Sequence, residues 1–190
     1  MNTSSACVPA IAEPTSFPEL LGGMLAALAD VGSLLRSIDD RVFLDTSLDP
    51  CFGASVGGHV RHVLDHARAL SDAATHGRAA YEHRERGSAI EQDRAVALEA
   101  VSSVVERLRS LADVGGTRQI AVEVMPAPGR PIQLVTSTIE RETAFVMSHT
   151  IHHIAIMRQL VARAGKDRCP QIGLAPGTPR TGDGNAPCAH

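Results

Sequence analysis

Residues 148–160 read SHTIHHIAIMRQL, and the apolar residues in this stretch recur at the spacing of an α-helix. His149 and His153 stand four residues apart, so on a helix both imidazoles lie on one face and can bind the same ion. A stable site for zinc or a similar ion usually takes at least three protein ligands, and a catalytic site keeps a further position open. This segment therefore predicts part of a metal site, which a second element must complete.

The other histidine-rich stretch is GGHVRHVLDH, residues 57–66. On a helix, His59, His62 and His66 fall within an arc of about 60°, along one edge of the apolar stripe. A single histidine at such an edge is more often an interfacial residue, hydrogen-bonded to a carboxylate or a carbonyl. Three histidines on one face favour a site aimed into a crevice between helices. We therefore expect these two distant segments to meet around one ion.

Amphipathic periodicity dominates the rest of the chain. Four segments have apolar residues at helical spacing and are predicted to be long helices: residues 18–39, 56–77, about 90–111 and 139–165. Ser55 is the expected N-cap of the second helix, Ser137 or Thr138 that of the last, and Gly165 is the expected end of the last. Four long amphipathic helices predict a mainly all-α fold, a four-helix bundle, and bundles build metal sites from side chains on facing helices.

One segment differs from this helical pattern, and the two ends of the chain lack it. Residues 120–124 and 132–135 carry apolar residues on either side of the turn sequence APGRP, which predicts a short β-hairpin before the last helix. Residues 1–17 mix Pro, Ser and Thr without a period, and residues 177–190 are rich in Pro and Gly. We expect a flexible N-terminal arm and a flexible C-terminal tail around one domain, residues 18–176.

The overall composition excludes several classes of protein. The chain has 190 residues, which suits one domain, and a net charge of −3 with Arg and Glu interspersed, so no basic field for nucleic acid is present. No charged leader precedes an apolar stretch, and no apolar run is expected to reach the length of a membrane span. The cysteines form no CxxC pair and are predicted to be free thiols of a reducing cytosol: Cys7, Cys51, Cys169 and Cys188. We therefore expect a cytoplasmic protein without a nucleic-acid or membrane partner.

The helical plan and the histidine spacing resemble the DinB-like family of metal-binding proteins, a helix-bundle family distinct from the DNA polymerase of that name. In that family a Ser or Thr often opens the second helix seven residues before a ligand, and Ser55 and His62 have that spacing. The segment SHTIHH looks like the closing motif of the family. Further motifs resemble a subgroup of it: Gly57-His59-Arg61-His62, Tyr81-Arg84-Arg86, Ile90-Glu91-Asp93 and His149-Thr150-His152-His153.

This resemblance implies a site in which His62, His149 and His153 bind one divalent metal ion. Zinc is the expected ion, and imidazoles also suit nickel, iron and copper. The expected pocket residues around the ligands are His59, His66, His152, Tyr81 and Arg84. His59 or His66 remains an alternative ligand, in place of His62 or beside it, and His152 is expected to be a hydrogen-bond partner because it points about 100° away from His153.

Two reaction classes suit such a site. Relatives in the family act as S-transferases or isomerases with a low-molecular-weight thiol, so the resemblance implies a thiol partner and a metal that stabilises the thiolate. Hydrolysis by a metal-bound hydroxide is the alternative enzyme. A non-catalytic alternative also stands, in which the metal only stabilises the bundle of a binding or stress-response module. A homodimer is compatible with the sequence.

Overall fold

The computed structural model describes residues 16–51, 53–83, 86–166 and 172–173. The predicted arm therefore lies outside the described residues except for Ser16 and Phe17, and the predicted tail lies outside them entirely. The fold is mostly helical with a small sheet, as predicted. Its helices are α1 (Phe17–Ser37), α2 (Asp40–Leu44), α3 (Val56–His76), α4 (Ala89–Gln92), α5 (Arg94–Arg109), α6 (Leu111–Val114) and α7 (Ile139–Arg163). Its strands are β1 (Arg78–Ala79), β2 (Gln119–Val124) and β3 (Gln133–Thr138).

The four long helices enclose one apolar core. Helices α1 and α3 each pack against both α5 and α7. Each long helix contributes a fully buried side chain to the centre: Leu28, Leu64, Leu108 and Met157 have no exposed surface. Burying such a side chain contributes about 1.5 to 3 kcal/mol. The amphipathic periodicity of the sequence therefore determines which face of each helix turns inward.

The ends of α3 and α7 follow the predicted capping residues. The Ser55 hydroxyl accepts a hydrogen bond from the backbone N–H of Gly58 at 3.1 Å, which satisfies one of the unpaired donors of the first turn of α3. Thr138, one of the two predicted caps of α7, accepts from the N–H of Arg141 at 3.2 Å. Gly165 follows the end of α7 with a φ of +70°, which only glycine adopts without strain. These three predictions are confirmed.

The third predicted helix, over about residues 90–111, is not continuous, so the prediction of one long helix there is wrong. It is divided at Asp93, whose backbone is extended and whose carboxylate accepts hydrogen bonds from the N–H groups of Ala95 at 2.8 Å and Val96 at 3.2 Å. A short acceptor side chain that satisfies the first N–H groups of a helix favours a new start over continuation. The segment therefore consists of the short α4, the longer α5 and, after Ser110, the short α6.

The predicted β-hairpin is confirmed, and the sheet contains one strand more. Strands β2 and β3 pair antiparallel, with Val122 opposite Val135, and β1 pairs parallel with β2 on its other side. An ion pair links the two parallel strands, because Nε of Arg78 lies 2.6 Å from Oε1 of the buried Glu123. A strand of two residues is too short to show alternation of apolar and polar residues, so β1 could not be predicted from the sequence.

Helix α1 requires a second correction. It is the one helix of the described chain that is long and apolar enough to cross a membrane by length and composition, although no apolar run was expected to reach that length. Its apolar side chains Leu21, Met24, Leu28 and Leu35 are buried against the other helices. Packing of this kind is consistent with a soluble protein.

The N-terminus of α3 is fixed by close contact with its neighbours. A Cβ atom on Gly57 would lie 2.5 Å from the backbone oxygen of Glu91 and 2.8 Å from Cζ of Phe43. Gly58, the next residue, faces open space apart from Oγ of Ser55 at 3.7 Å. The absence of a side chain at Gly57 therefore lets α4 and α2 approach the helix that carries the histidines.

We predict that Gly57→Ala destabilises the fold by about 1 to 3 kcal/mol, because the backbone of α4 would have to move. The matched control is Gly58→Ala, which is expected to be neutral or to stabilise by up to about 1 kcal/mol, since alanine suits a helix better than glycine. Urea unfolding of both variants measures the difference. Equal free energies of unfolding would contradict this account of the α3 contact.

Candidate metal centre

Helices α3 and α7 pack against each other and bring three histidines together. His62 comes from α3, and His149 and His153 come from consecutive turns of α7. One ring nitrogen from each of the three lies within 4.8 Å of the others. The Nε2 atoms of His62 and His149 are 2.9 Å apart, and all three side chains are partly buried. The two histidine segments therefore meet, close enough to bind one metal ion.

The donor set suits a divalent transition metal. Such an ion lies about 2.0 to 2.1 Å from each imidazole nitrogen, so the nitrogens of one site are separated by roughly 3 to 4 Å. The observed separations reach this range with side-chain movements below about 1 Å. Imidazole nitrogens bind zinc, nickel, iron and copper alike, so three histidines do not select among these ions.

His59 contacts His153, one of the three clustered histidines. Its Nδ1 lies 3.1 Å from Nδ1 of His153, so these two nitrogens share a hydrogen bond. Its Nε2 is buried, and within the described part of the chain no hydrogen-bond partner contacts that atom. His59 therefore lies next to the clustered His153 and is not itself one of the three clustered histidines.

His66 packs inside the site. Its Nδ1 lies 3.0 Å from the backbone oxygen of His62, so Nδ1 carries the proton and donates it to that carbonyl. Its ring is stacked between those of His149, at 4.3 Å between centroids, and Tyr81, at 5.2 Å. Phe145 stacks on His149 at 5.8 Å. His66 thus belongs to an aromatic cluster with His149, Tyr81 and Phe145, and this cluster restrains the plane of the His149 ring.

Tyr81 belongs to the same aromatic cluster, and its hydroxyl is hydrogen-bonded to a buried carboxylate. Its hydroxyl donates to Oε2 of Glu142 at 2.9 Å, and Oε1 of Glu142 accepts from Ser137 at 2.6 Å and from Arg141 at 2.7 Å. Burial and the neighbouring Glu142 carboxylate raise the pKa of Tyr81 well above its usual value. Tyr81 is therefore a neutral hydrogen-bond donor and not a base.

Glu142 is the site residue that sequence reasoning missed. It is only 1% exposed although it is charged. The available signal was its spacing, because it precedes His149 by seven residues, two helical turns, and so lies on the same face of α7. A carboxylate on the face that carries metal ligands is a candidate to orient them or their neighbours.

The remaining predicted pocket residues lie at the margin or beyond. His152 is exposed, and its ring centroid lies 5.5 Å from that of His153. Arg84 falls outside the described residues, so the structure does not place it. Of the expected pocket residues, His59, His66 and Tyr81 therefore surround the three clustered histidines, while His152 lies on the outer side of α7.

A cavity of about 660 Å³ opens beside the cluster. Two of the clustered histidines, His62 and His153, line it together with His59. Arg61 and Arg86 also line it, and Arg61 is largely buried and forms ion pairs with Asp65 and Glu91. The paired carboxylates of Asp65 and Glu91 offset the charge of Arg61. A small molecule in this cavity can reach the histidines.

Burial sets the protonation of the two hydrogen-bonded histidines. It lowers the pKa of His153 well below its usual value, and the neighbouring His149, His62 and His59 lower it further. Burial also lowers the pKa of His59, against which the Asp49 carboxylate acts in the opposite direction. Both imidazoles are therefore neutral near pH 7, the state in which histidine binds metal.

Comparisons with protein-family models, with curated proteins and with solved structures find no match to this chain.

We predict that the metal-free protein loses stability as the pH falls below about 6.5. In the unfolded chain a histidine takes up a proton near pH 6.5, whereas in the folded chain burial holds the pKa of His59 and His153 lower, so the unfolded state binds more protons in this range. Thermal unfolding with a chelator present, recorded between pH 7.5 and 5, measures the effect. His153→Gln removes one of these groups and should flatten the dependence; a slope equal to that of the unsubstituted chain would contradict the assignment.

Proposed function

We propose that this chain is a divalent-metal-binding protein of the DinB-like type, and that it is an enzyme that uses a three-histidine site to act on a low-molecular-weight thiol. One observation carries the proposal: His62, His149 and His153 converge beside a cavity of about 660 Å³ that two of them line. Three ligands beside a cavity are the arrangement of a catalytic metal site, in which a further coordination position accepts water or substrate.

The arrangement of the helices supports the DinB-like four-helix bundle. Four long helices pack in a closed circuit, since α1 and α3 each contact α5 and α7 and share one core. Ser55 caps α3 seven residues before His62, the spacing on which the resemblance rests. The two ligand helices are adjacent in this circuit, as a site built from facing helices requires.

The chemistry follows from the charge of the donor set. A divalent cation held by three neutral imidazoles keeps its full charge and lowers the pKa of a thiol or water that reaches it. The protein holds the ligands rigidly through the stacked rings of His66 and Phe145 against His149. His66 donates through Nδ1 to a backbone carbonyl, which orients its ring beside His149.

A catalytic role is favoured over a structural one by the number of ligands. Structural zinc sites normally close with four protein ligands. In the described part of the chain the clustered nitrogens come from three histidines, and the two neighbouring imidazoles have other partners: His59 is hydrogen-bonded to His153, and His66 donates to the backbone oxygen of His62. Zinc is the ion we propose, with nickel, iron and copper as ions that the same ligands accept.

We predict that the purified protein binds about one equivalent of zinc near pH 7.5 and that His62→Ala, His149→Ala and His153→Ala each abolish stoichiometric binding, because two remaining imidazoles do not hold the ion. Elemental analysis after dialysis gives the stoichiometry. His76→Ala is the control, since His76 is exposed at the far end of α3. Full occupancy in the His153→Ala protein would refute the site.

We predict that the zinc-loaded protein accelerates the reaction of glutathione or cysteine with a small electrophile, and that chelation or His149→Ala removes the acceleration. Loss of thiol groups, measured with a colorimetric reagent, follows the reaction. Inertness toward thiols together with metal-dependent cleavage of an activated ester would identify a hydrolase instead. Inertness toward both, with a melting temperature that falls on chelation, would identify a structural metal.

A further inference from the structure

We propose that His59 is a positioning residue for the metal site: it accepts the Nδ1 proton of His153 and thereby directs Nε2 of His153 toward the metal. This inference rests on the proposed three-histidine site. It starts from the 3.1 Å separation between Nδ1 of His59 and Nδ1 of His153, a contact between α3 and α7. Neither composition nor the spacing of the ligands assigns a role to this contact.

The shared hydrogen bond has two possible directions, and only one is compatible with a metal ligand. A neutral imidazole carries one N–H and one lone pair. If His59 donated from Nδ1, His153 would accept at Nδ1 and would carry its own proton on Nε2. Neither nitrogen of His153 would then have a lone pair left for a cation. If His153 donates instead, its Nε2 keeps the lone pair and can bind the ion.

The charge near His59 favours the second direction. When His59 accepts at Nδ1, its own proton lies on Nε2, which is buried and has no hydrogen-bond partner in the described part of the chain. Asp49 is 8% exposed, and its carboxylate acts electrostatically on His59. That carboxylate is held in place because it accepts from the N–H groups of Cys51 at 3.0 Å and Ala54 at 3.3 Å. An acidic neighbour stabilises a His59 ring that presents an N–H.

His59 is better placed for this role than the other histidines near His153. His152 is exposed, and its ring is perpendicular to that of His153 at 5.5 Å. His66 donates to the backbone oxygen of His62 and stacks on His149. Hydrogen bonds from a ligating histidine to a neighbouring acceptor fix the ring and the tautomer, and removing the acceptor typically weakens metal binding 10- to 100-fold.

The test compares two replacements of His59. Phenylalanine keeps the ring volume and removes the acceptor, whereas asparagine places its Oδ1 near the position of Nδ1 and keeps it. We expect the zinc affinity of the His59→Phe protein to fall about 10- to 100-fold, and that of the His59→Asn protein to stay within a few-fold of the unsubstituted chain. Competition with a chromogenic chelator at fixed pH measures both. His76→Phe, an exposed histidine on the same helix, is the control for loss of an imidazole.

A spectroscopic measurement reports the tautomer directly. In the zinc-loaded protein, long-range ¹H–¹⁵N spectra of ¹⁵N-labelled histidines should give His153 a protonated Nδ1 and a metal-bound Nε2. Unchanged affinity in the His59→Phe protein, or coordination through Nδ1 of His153, would overturn the inference and leave the metal site intact. Absence of zinc binding in the unsubstituted chain would overturn both. If His59→Phe does not fold, as judged by circular dichroism, the tautomer of His153 in the unsubstituted chain decides.

Discussion

The packing of α3 against α7 is the contact on which the rest of the structure depends. The two helices are separated by 62 residues of sequence, residues 77–138, and each carries its histidines at the edge of a buried apolar stripe. Hydrophobic burial drives this contact, because Val63 and Leu64 on α3 and Val146 and Ile154 on α7 are buried in the shared core. The imidazoles themselves supply little of the driving force, and their positions are a consequence of the apolar packing.

The sequence predicted the parts of this arrangement that follow from local periodicity. The long helices, the caps at Ser55 and Thr138, and the hairpin all rest on patterns within a few residues. The proximity of His62 to His149 and His153 could also be predicted, because the histidines are concentrated in two helical segments, each with its imidazoles along one face. The two-residue β1 and the interruption of the third predicted helix at Asp93 could not be predicted. Each depends on a few local hydrogen bonds that produce no periodic pattern in the sequence.

Contacts between side chains that are distant in sequence could not be predicted for a different reason. Whether Tyr81 donates to Glu142 depends on how β1, β3 and α7 pack, which no spacing along one element specifies. The same holds for the pairing of His59 with His153, which requires the register between α3 and α7 to within about one residue. The sequence therefore indicates which types of residue lie near the site. It does not indicate which of these side chains form hydrogen bonds with one another.

Clustering neutral imidazoles carries a cost that explains how the site is supported. Burial and the neighbouring rings lower the pKa of His153, so its imidazole is neutral and a positive charge on the ring is disfavoured. A cation bound at the proposed site would offset the cost of burying these rings, because neutral imidazoles bind metal through their lone pairs. Hydrogen bonds hold the neighbours of the cluster in place: His66 donates to a backbone carbonyl, and Tyr81 donates to the buried carboxylate of Glu142. The Nδ1 of His66 and the hydroxyl of Tyr81 are thus satisfied within the fold, whereas the buried Nε2 of His59 has no hydrogen-bond partner in the described part of the chain.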